Sequence, residues 1–188
     1  MELTYNTPTE DWYRATPSNN LTYWRIDYPP MTAYHSWVMG VFSAKYEPQS
    51  MALVESHGYE TPSHKFYMRM TVLVNDLIFF FIGSLCVTYL DLKKYNFYVK
   101  WISLLLIFFA PPNVLIDHGH FQYNCVIMGL TLMGLYFCCR DQLVIGSILF
   151  TCALNFKQMA FYYAFAFFAF IFGKIIIRAK RSNYVNLS

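Results

Sequence analysis

From residue 71 onward the chain is dominated by apolar runs, and that feature limits the possible fold more than any other. Residues 71–90 read TVLVNDLIFFFIGSLCVTYL. Wound as a helix at about 1.5 Å per residue, such a run covers the roughly 30 Å of hydrocarbon in a bilayer. Further apolar runs lie at 97–116, 124–139, 142–156 and 159–177. The expected fold class is therefore all-α, a polytopic membrane bundle of about five spans over 71–188, preceded by a polar region over 1–70. The chain is 56% hydrophobic and 13% charged, against roughly 25% charged in soluble domains. The third and fourth runs are under-length, so the hairpin at Arg140-Asp141 is expected to be drawn into the bilayer or the protein.

The first 32 residues are polar and turn-rich, with Pro8, Pro17, Pro29 and Pro30, and carry no pattern of a secretory signal peptide. Residues 31–44, MTAYHSWVMGVFSA, are apolar but too short to span. Their aromatics suit a headgroup layer, which predicts an amphipathic interfacial helix. Residues 45–70 are mixed, a surface loop with room for one helix. Asn20-Leu21-Thr22 is an N-glycosylation sequon, usable on a lumenal face. A net charge of +3 with scattered basic residues leaves no nucleic-acid footprint. All five cysteines fall in apolar runs without a CxxC pair, as small buried hydrophobes do.

Between two apolar runs stands Ile116-Asp117-His118-Gly119-His120-Phe121-Gln122-Tyr123-Asn124. Burying such a cluster in hydrocarbon without partners costs several kcal/mol per group, on the order of magnitude of transfer scales. It has to sit at a membrane surface or line a wet cavity. Pro111-Pro112 just ahead of it ends the second span. Asn75 and Asp76 interrupt the first span, and a carboxylate there must face protein or water.

The short loops set an orientation. Lys93, Lys94 and Lys100 follow the first span, Arg140 the third, and Arg178, Lys180 and Arg181 the fifth. All three clusters fall on one side, which the positive-inside rule makes cytoplasmic. The opposite side then gathers residues 1–70, the 111–124 stretch and Asn155-Phe156-Lys157-Gln158. A lumenal N-terminal region of this length predicts a further span ahead of it.

Three segments on that side carry chemistry. Tyr23-Trp24-Arg25-Ile26-Asp27-Tyr28-Pro29-Pro30 sets aromatic rings beside a carboxylate, as sugar sites do. Asp117, His118, His120 and Gln122 form the second group, and Lys157 with Gln158 the third. A lysine between apolar spans can pair with a lipid phosphate or simply snorkel. Asp27 can contact sugar or, as an Asp before Tyr-Pro-Pro, support a turn. Asp117, His118 and His120 can line a site or cap a broken helix. The two imidazoles share a side only if the stretch is extended. His35, His57 and His64 read as solvated or interfacial.

The strings YWxxDYPPxTAYHS, IDHGHFQYN and NFKQMAxYYA, with Met68-Arg69-Met70-Thr71-Val72, resemble the eukaryotic dolichyl-phosphate-glucose-dependent alpha-1,3-glucosyltransferases of N-glycan precursor assembly. The likeness runs over nearly the whole chain. Gly119 between the histidines and Lys157-Gln158-Met159 are similar to the first-glucose enzyme. The resemblance implies a GT-C-like helical bundle in the endoplasmic reticulum membrane, with its site facing the lumen. The donor would be dolichyl-phosphate-glucose and the acceptor a dolichyl-diphosphate-linked high-mannose oligosaccharide. No metal and no cofactor are implied. Trp24, Asp27, Tyr28, Asp117, His118, His120, Gln122, Lys157 and Gln158 become the substrate-binding candidates.

The family's base is an Asp in a Gly-Asp-aromatic-Glu motif, whose end aligns with Met1-Glu2, so the base is expected upstream of this chain. The resemblance thus implies a piece incomplete at both ends and inactive alone. Two other readings compete: a transporter segment, whose polar residues should lie mid-span, and a non-catalytic dolichyl-lipid-binding protein.

Overall fold

The computed structural model describes residues 1–23, 25–91 and 95–185 and, within them, all side chains but those of 89–91 and 181–185. Trp24 and the Lys93-Lys94 pair, which entered the expectations above, lie outside the described residues. Among the described residues every regular element is helical, and the only β-type pairing is an isolated bridge between Thr16 and Asn19. The all-α membrane class read from the sequence holds.

Helix α1 is Glu2–Asn6 and α2 is Pro30–Tyr46. Helix α3 runs continuously over 62–91: an α-helical part Pro62–Asn75, a π-helical segment Asp76–Phe81, and Ile82–Asp91. Helix α4 is Phe97–Phe108. Helical structure resumes at Pro111–Asn113 and a second π segment, Val114–Gly119. Helix α5 is Asn124–Cys139, α6 is Leu143–Phe156, and α7 is Phe161–Val185.

Local chemistry explains the starts. Pro30, Pro62 and Pro111 each stand in the first turn of a helix, where the missing N–H costs nothing. The Thr61 hydroxyl accepts from His64 N–H at 3.0 Å, and the Asn96 side chain accepts from Val99 N–H at 3.0 Å. The helix α3 therefore begins at Pro62, ahead of the apolar run at 71. The Pro111-Pro112 pair breaks the second apolar run at Ala110 but also restarts the helix at once, because proline's φ is already helical.

Among the described residues, three helical stretches are long and apolar enough to cross a membrane: Pro62–Thr88, Phe97–Gly119 and Gln158–Lys180. Their outward faces are apolar: Leu106 is 70% exposed and Phe165 81%. Large apolar groups left bare on this scale suit hydrocarbon rather than water. The two shorter helices, α5 and α6, form an antiparallel hairpin at the centre and supply most of the core, including Val126, Ile127, Leu130, Phe150 and Phe156. Glycines let the backbones meet. Helix α3 packs on Gly129, where an added Cβ would overlap the Phe79 carbonyl. Gly134 and Gly146 face each other between α5 and α6, where a Cβ on Gly146 would overlap the Cys138 sulfur and one on Gly134 would stand 3.1 Å from the Gly146 carbonyl oxygen. Phe150 of α6 stacks on Phe167 of α7 at 3.9 Å.

Helix α2 turns small residues inward and large ones outward. Ala33, Gly40 and Ser43 are buried, while Tyr34, Trp37 and Phe42 are exposed. It is anchored to the bundle by the Thr32 hydroxyl, which donates to the Phe156 carbonyl, and by His35 on Asn75 of α3 at 3.1 Å. At the far end, Lys174 and Arg178 of α7 hold the Asp141 turn between α5 and α6, at 2.8 Å to its carboxylate and 2.9 Å to its carbonyl.

Candidate functional site

The polar residues gather where α2, the middle of α3, the 114–124 segment and the α6–α7 junction meet. Asp117, in the second π segment, is 2% exposed. Its carboxylate accepts from the Asn124 amide at 2.8 Å and from the Cys125 backbone N–H at 2.6 Å. It thereby caps α5, satisfying donors that a helix start leaves free. These bonds are the capping arrangement expected for Asp117.

The chain turns at Phe121, whose φ of 62° is left-handed and costly for a bulky side chain. That turn delivers Gln122 and Asn124 to Lys157. The ammonium donates to Gln122 Oε1 at 3.0 Å and to Asn124 Oδ1 at 2.7 Å, and lies 5.4 Å from the Tyr28 ring centroid. Asn124 also donates to Gln122 Oε1 at 2.9 Å. Asp117 thus fixes Asn124, and Asn124 fixes Lys157. Burial draws the Lys157 pKa below the ordinary lysine value, while the Asp117 charge pulls it back up.

Lys157 and Gln158 line a cleft of about 460 Å³ with Tyr28 and Tyr162. Tyr28 and Gln158 also line an adjoining cleft of about 540 Å³ that carries Asp27 and Arg25. Asp27 is exposed, and among the described residues its one partner is the Arg25 guanidinium at 2.5 Å. The turn-supporting role expected for it is not seen, because the carboxylate points to Arg25 rather than to backbone amides. The structure therefore brings Asp27, Tyr28, Gln122, Lys157 and Gln158 together, with Asp117 behind them.

The two histidines part company. The helical backbone at 118–119 sends their rings in different directions, as the spacing argument requires of a stretch that is not extended. His118 pairs with Asp76 of α3. His120 is exposed, and among the described residues its ring has no partner. Asp76 was visible in the sequence only as a charge interrupting an apolar run. Of the two settings expected for His35, solvated or interfacial, the solvated one is not seen: the ring is set edge-on against Tyr123 and Phe156, at 4.5 and 5.3 Å, and burial lowers its pKa. Tyr123 in turn shares a hydrogen bond with Thr71 at 2.7 Å, and burial raises its pKa. The sequence marks Asn75 as a break in an apolar run and holds Thr71 and His35 within the strings of the family resemblance, but it displays none of these contacts, since each joins distant elements.

Asp76, Asp117 and Cys125 bring two carboxylate oxygens and a thiol within 4.8 Å of one another. Each carboxylate already has donors: His118 for Asp76, and the Asn124 and Cys125 N–H groups for Asp117. Two acids and a thiol fall short of the six or more oxygen ligands that a hard cation takes.

Fold and site together define a helical membrane protein whose polar end presents a lysine that, among the described residues, has no carboxylate partner, beside aromatic-lined clefts. The chain belongs to the ALG6, ALG8 glycosyltransferase family, whose profile matches residues 1–188. It is 44% identical over 174 residues to a dolichyl pyrophosphate Man9GlcNAc2 alpha-1,3-glucosyltransferase of Gallus gallus, covering 93% of this chain and 34% of that protein. The protein of the same name from Rattus norvegicus is 42% identical over 183 residues, covering 97% and 36%. The chain spans about a third of the length of these curated relatives.

Proposed function

We propose that this chain forms part of the substrate site of an inverting alpha-1,3-glucosyltransferase. In that reaction glucose passes from dolichyl-phosphate-glucose to a dolichyl-diphosphate-linked high-mannose oligosaccharide in the endoplasmic reticulum. The observation that carries the reading is Lys157, a cation held by two neutral acceptors and bordered by Tyr28 and Gln158. A desolvated ammonium without a carboxylate partner is suited to a phosphate. The names of the relatives supply the acceptor and the linkage.

In this proposal a base deprotonates the acceptor hydroxyl. The oxygen attacks the anomeric carbon, and the bond to the lipid phosphate breaks on the opposite face. The phosphate leaves with the bonding pair, and Lys157 stabilises its charge, held in place by Gln122 and Asn124. Tyr28 offers a ring face to the sugar and Asp27 an acceptor for its hydroxyls. The N-terminal region, the 117–124 stretch and Lys157 share one end of the bundle, whereas Arg140, Lys174 and Arg178 mark the other. The positive-inside rule then supports a lumenal site.

The test uses a full-length family member, substituted at the lysine of its Phe-Lys-Gln-Met segment. With labelled dolichyl-phosphate-glucose in microsomes, Lys157→Ala should lower transfer at least about tenfold, the worth of one charge-assisted contact. Unchanged transfer would refute the role of Lys157.

A further inference from the structure

The 117–124 stretch borders a second polar cleft, of about 460 Å³, which shares no lining residue with the clefts of Lys157 and Asp27. Its charged and polar lining includes His64, Lys65 and Arg69 of α3, with His118, Gly119 and Glu60. Lys65 and Arg69 are four residues apart and so occupy one face of the helix. Two like charges at that spacing repel unless something between them is negative. Lys65 is ion-paired with Glu60. Arg69 has no partner among the described residues, and the His64 Nδ1 atom is buried without one. His118 is engaged by Asp76 and so is held at the cleft wall.

These cations stand at the end of the bundle opposite Arg140, Lys174 and Arg178. They run against the ordinary distribution of basic residues around a membrane bundle. Arginine presents a planar fork of donors matched to phosphate oxygens, and the exposed Lys65–Glu60 pair is cheap to open.

We infer that this cleft is a second phosphate site, separate from that of Lys157, and that it takes the diphosphate of a lipid-linked substrate. The inference rests on the proposed transferase reading, in which both substrates are phosphate-bearing lipids. Lys157 supplies one charge, which suits a monophosphate. Arg69 supplies one free charge and Lys65 a second once its exposed pair with Glu60 opens, with imidazoles beside them, which suits a diphosphate.

The chain reconstituted in nanodiscs is titrated by calorimetry with inorganic pyrophosphate, a short-chain polyprenyl diphosphate and the matching polyprenyl monophosphate. Arg69→Ala and the milder Arg69→Gln should each weaken diphosphate binding about tenfold, whereas Lys157→Ala should leave it unchanged. The lipid diphosphate should bind more tightly than free pyrophosphate. Helicity and monodispersity identify any variant that has not folded, and Arg69→Gln, similar in size, keeps the comparison alive. Equal weakening by Lys157→Ala, or no diphosphate binding by the unsubstituted chain, would overturn the inference. Preference for the free ion would overturn its lipid assignment. Loss of monophosphate binding in Lys157→Ala bears separately on the proposed transferase reading, so the two can fail independently.

Discussion

Helix α5 is held in two unlike ways along its length. At its start, Asn124 and Cys125 are fixed by directional hydrogen bonds to Asp117, Gln122 and Lys157. Further along, Gly129 and Gly134 are fixed by bare contact with the backbones of α3 and α6. The wet end positions charged groups and leaves clefts beside them. In the dry middle Gly129 has no room for a methyl group. A membrane bundle lacks a hydrophobic drive between its helices, so close packing in the middle has to secure them. The polar end is then free to be shaped for ligands.

That contrast can be broken from either side. The largest effect is expected at Gly129, where even a Cβ overlaps the Phe79 carbonyl, a rigid neighbour. Gly129→Leu should cost about 3 kcal/mol or more and abolish a monodisperse, cooperatively unfolding protein in detergent. Next comes Asp117→Ala, which strands the buried Cys125 N–H and leaves the Asn124 amide only its bond to Gln122. A loss of about 2 kcal/mol is expected in thermal unfolding, with weaker anion binding because Asn124 no longer fixes Lys157.

A smaller and sharper test is pH. The proposed anion binding needs the charged lysine, and burial lowers its pKa from 10.5. Binding of a polyprenyl monophosphate should therefore fall as pH rises through a midpoint below 10.5. Lys157→Arg should remove that fall, since a guanidinium keeps its proton beyond about pH 12. The smallest effect is expected for Gly134→Ala, whose Cβ would stand 3.1 Å from the Gly146 carbonyl oxygen. A shift of a few tenths of an ångström accommodates it, so thermal unfolding should record less than about 1 kcal/mol.

The sequence makes some of this arrangement legible and leaves the rest silent for physical reasons. Apolar length alone marks the helices, because hydrocarbon demands it. The pairing of Lys157 with the 117–124 stretch follows from counting spans and placing charges. The start of α3 at Pro62 is set by a Thr-Pro cap inside a polar segment, which a hydropathy reading passes over. Nothing in the spacing of His118 and His120 announces the π segment that separates them, or that Asp76 would claim one of them. Gly129 looks like any glycine in an apolar run until the Phe79–Phe80 backbone lies against it. Long-range partners of this kind are chosen by packing, which a linear string does not display.

The most direct measurement is photolabelling of a full-length family member with a polyprenyl-phosphate glucose that carries a diazirine on the sugar, followed by peptide mapping. Label on the peptides that contain Asp27–Tyr28 and Lys157–Gln158 is the predicted result. Label confined to the Arg140–Asp141 turn and the neighbouring end of α7 would contradict the account.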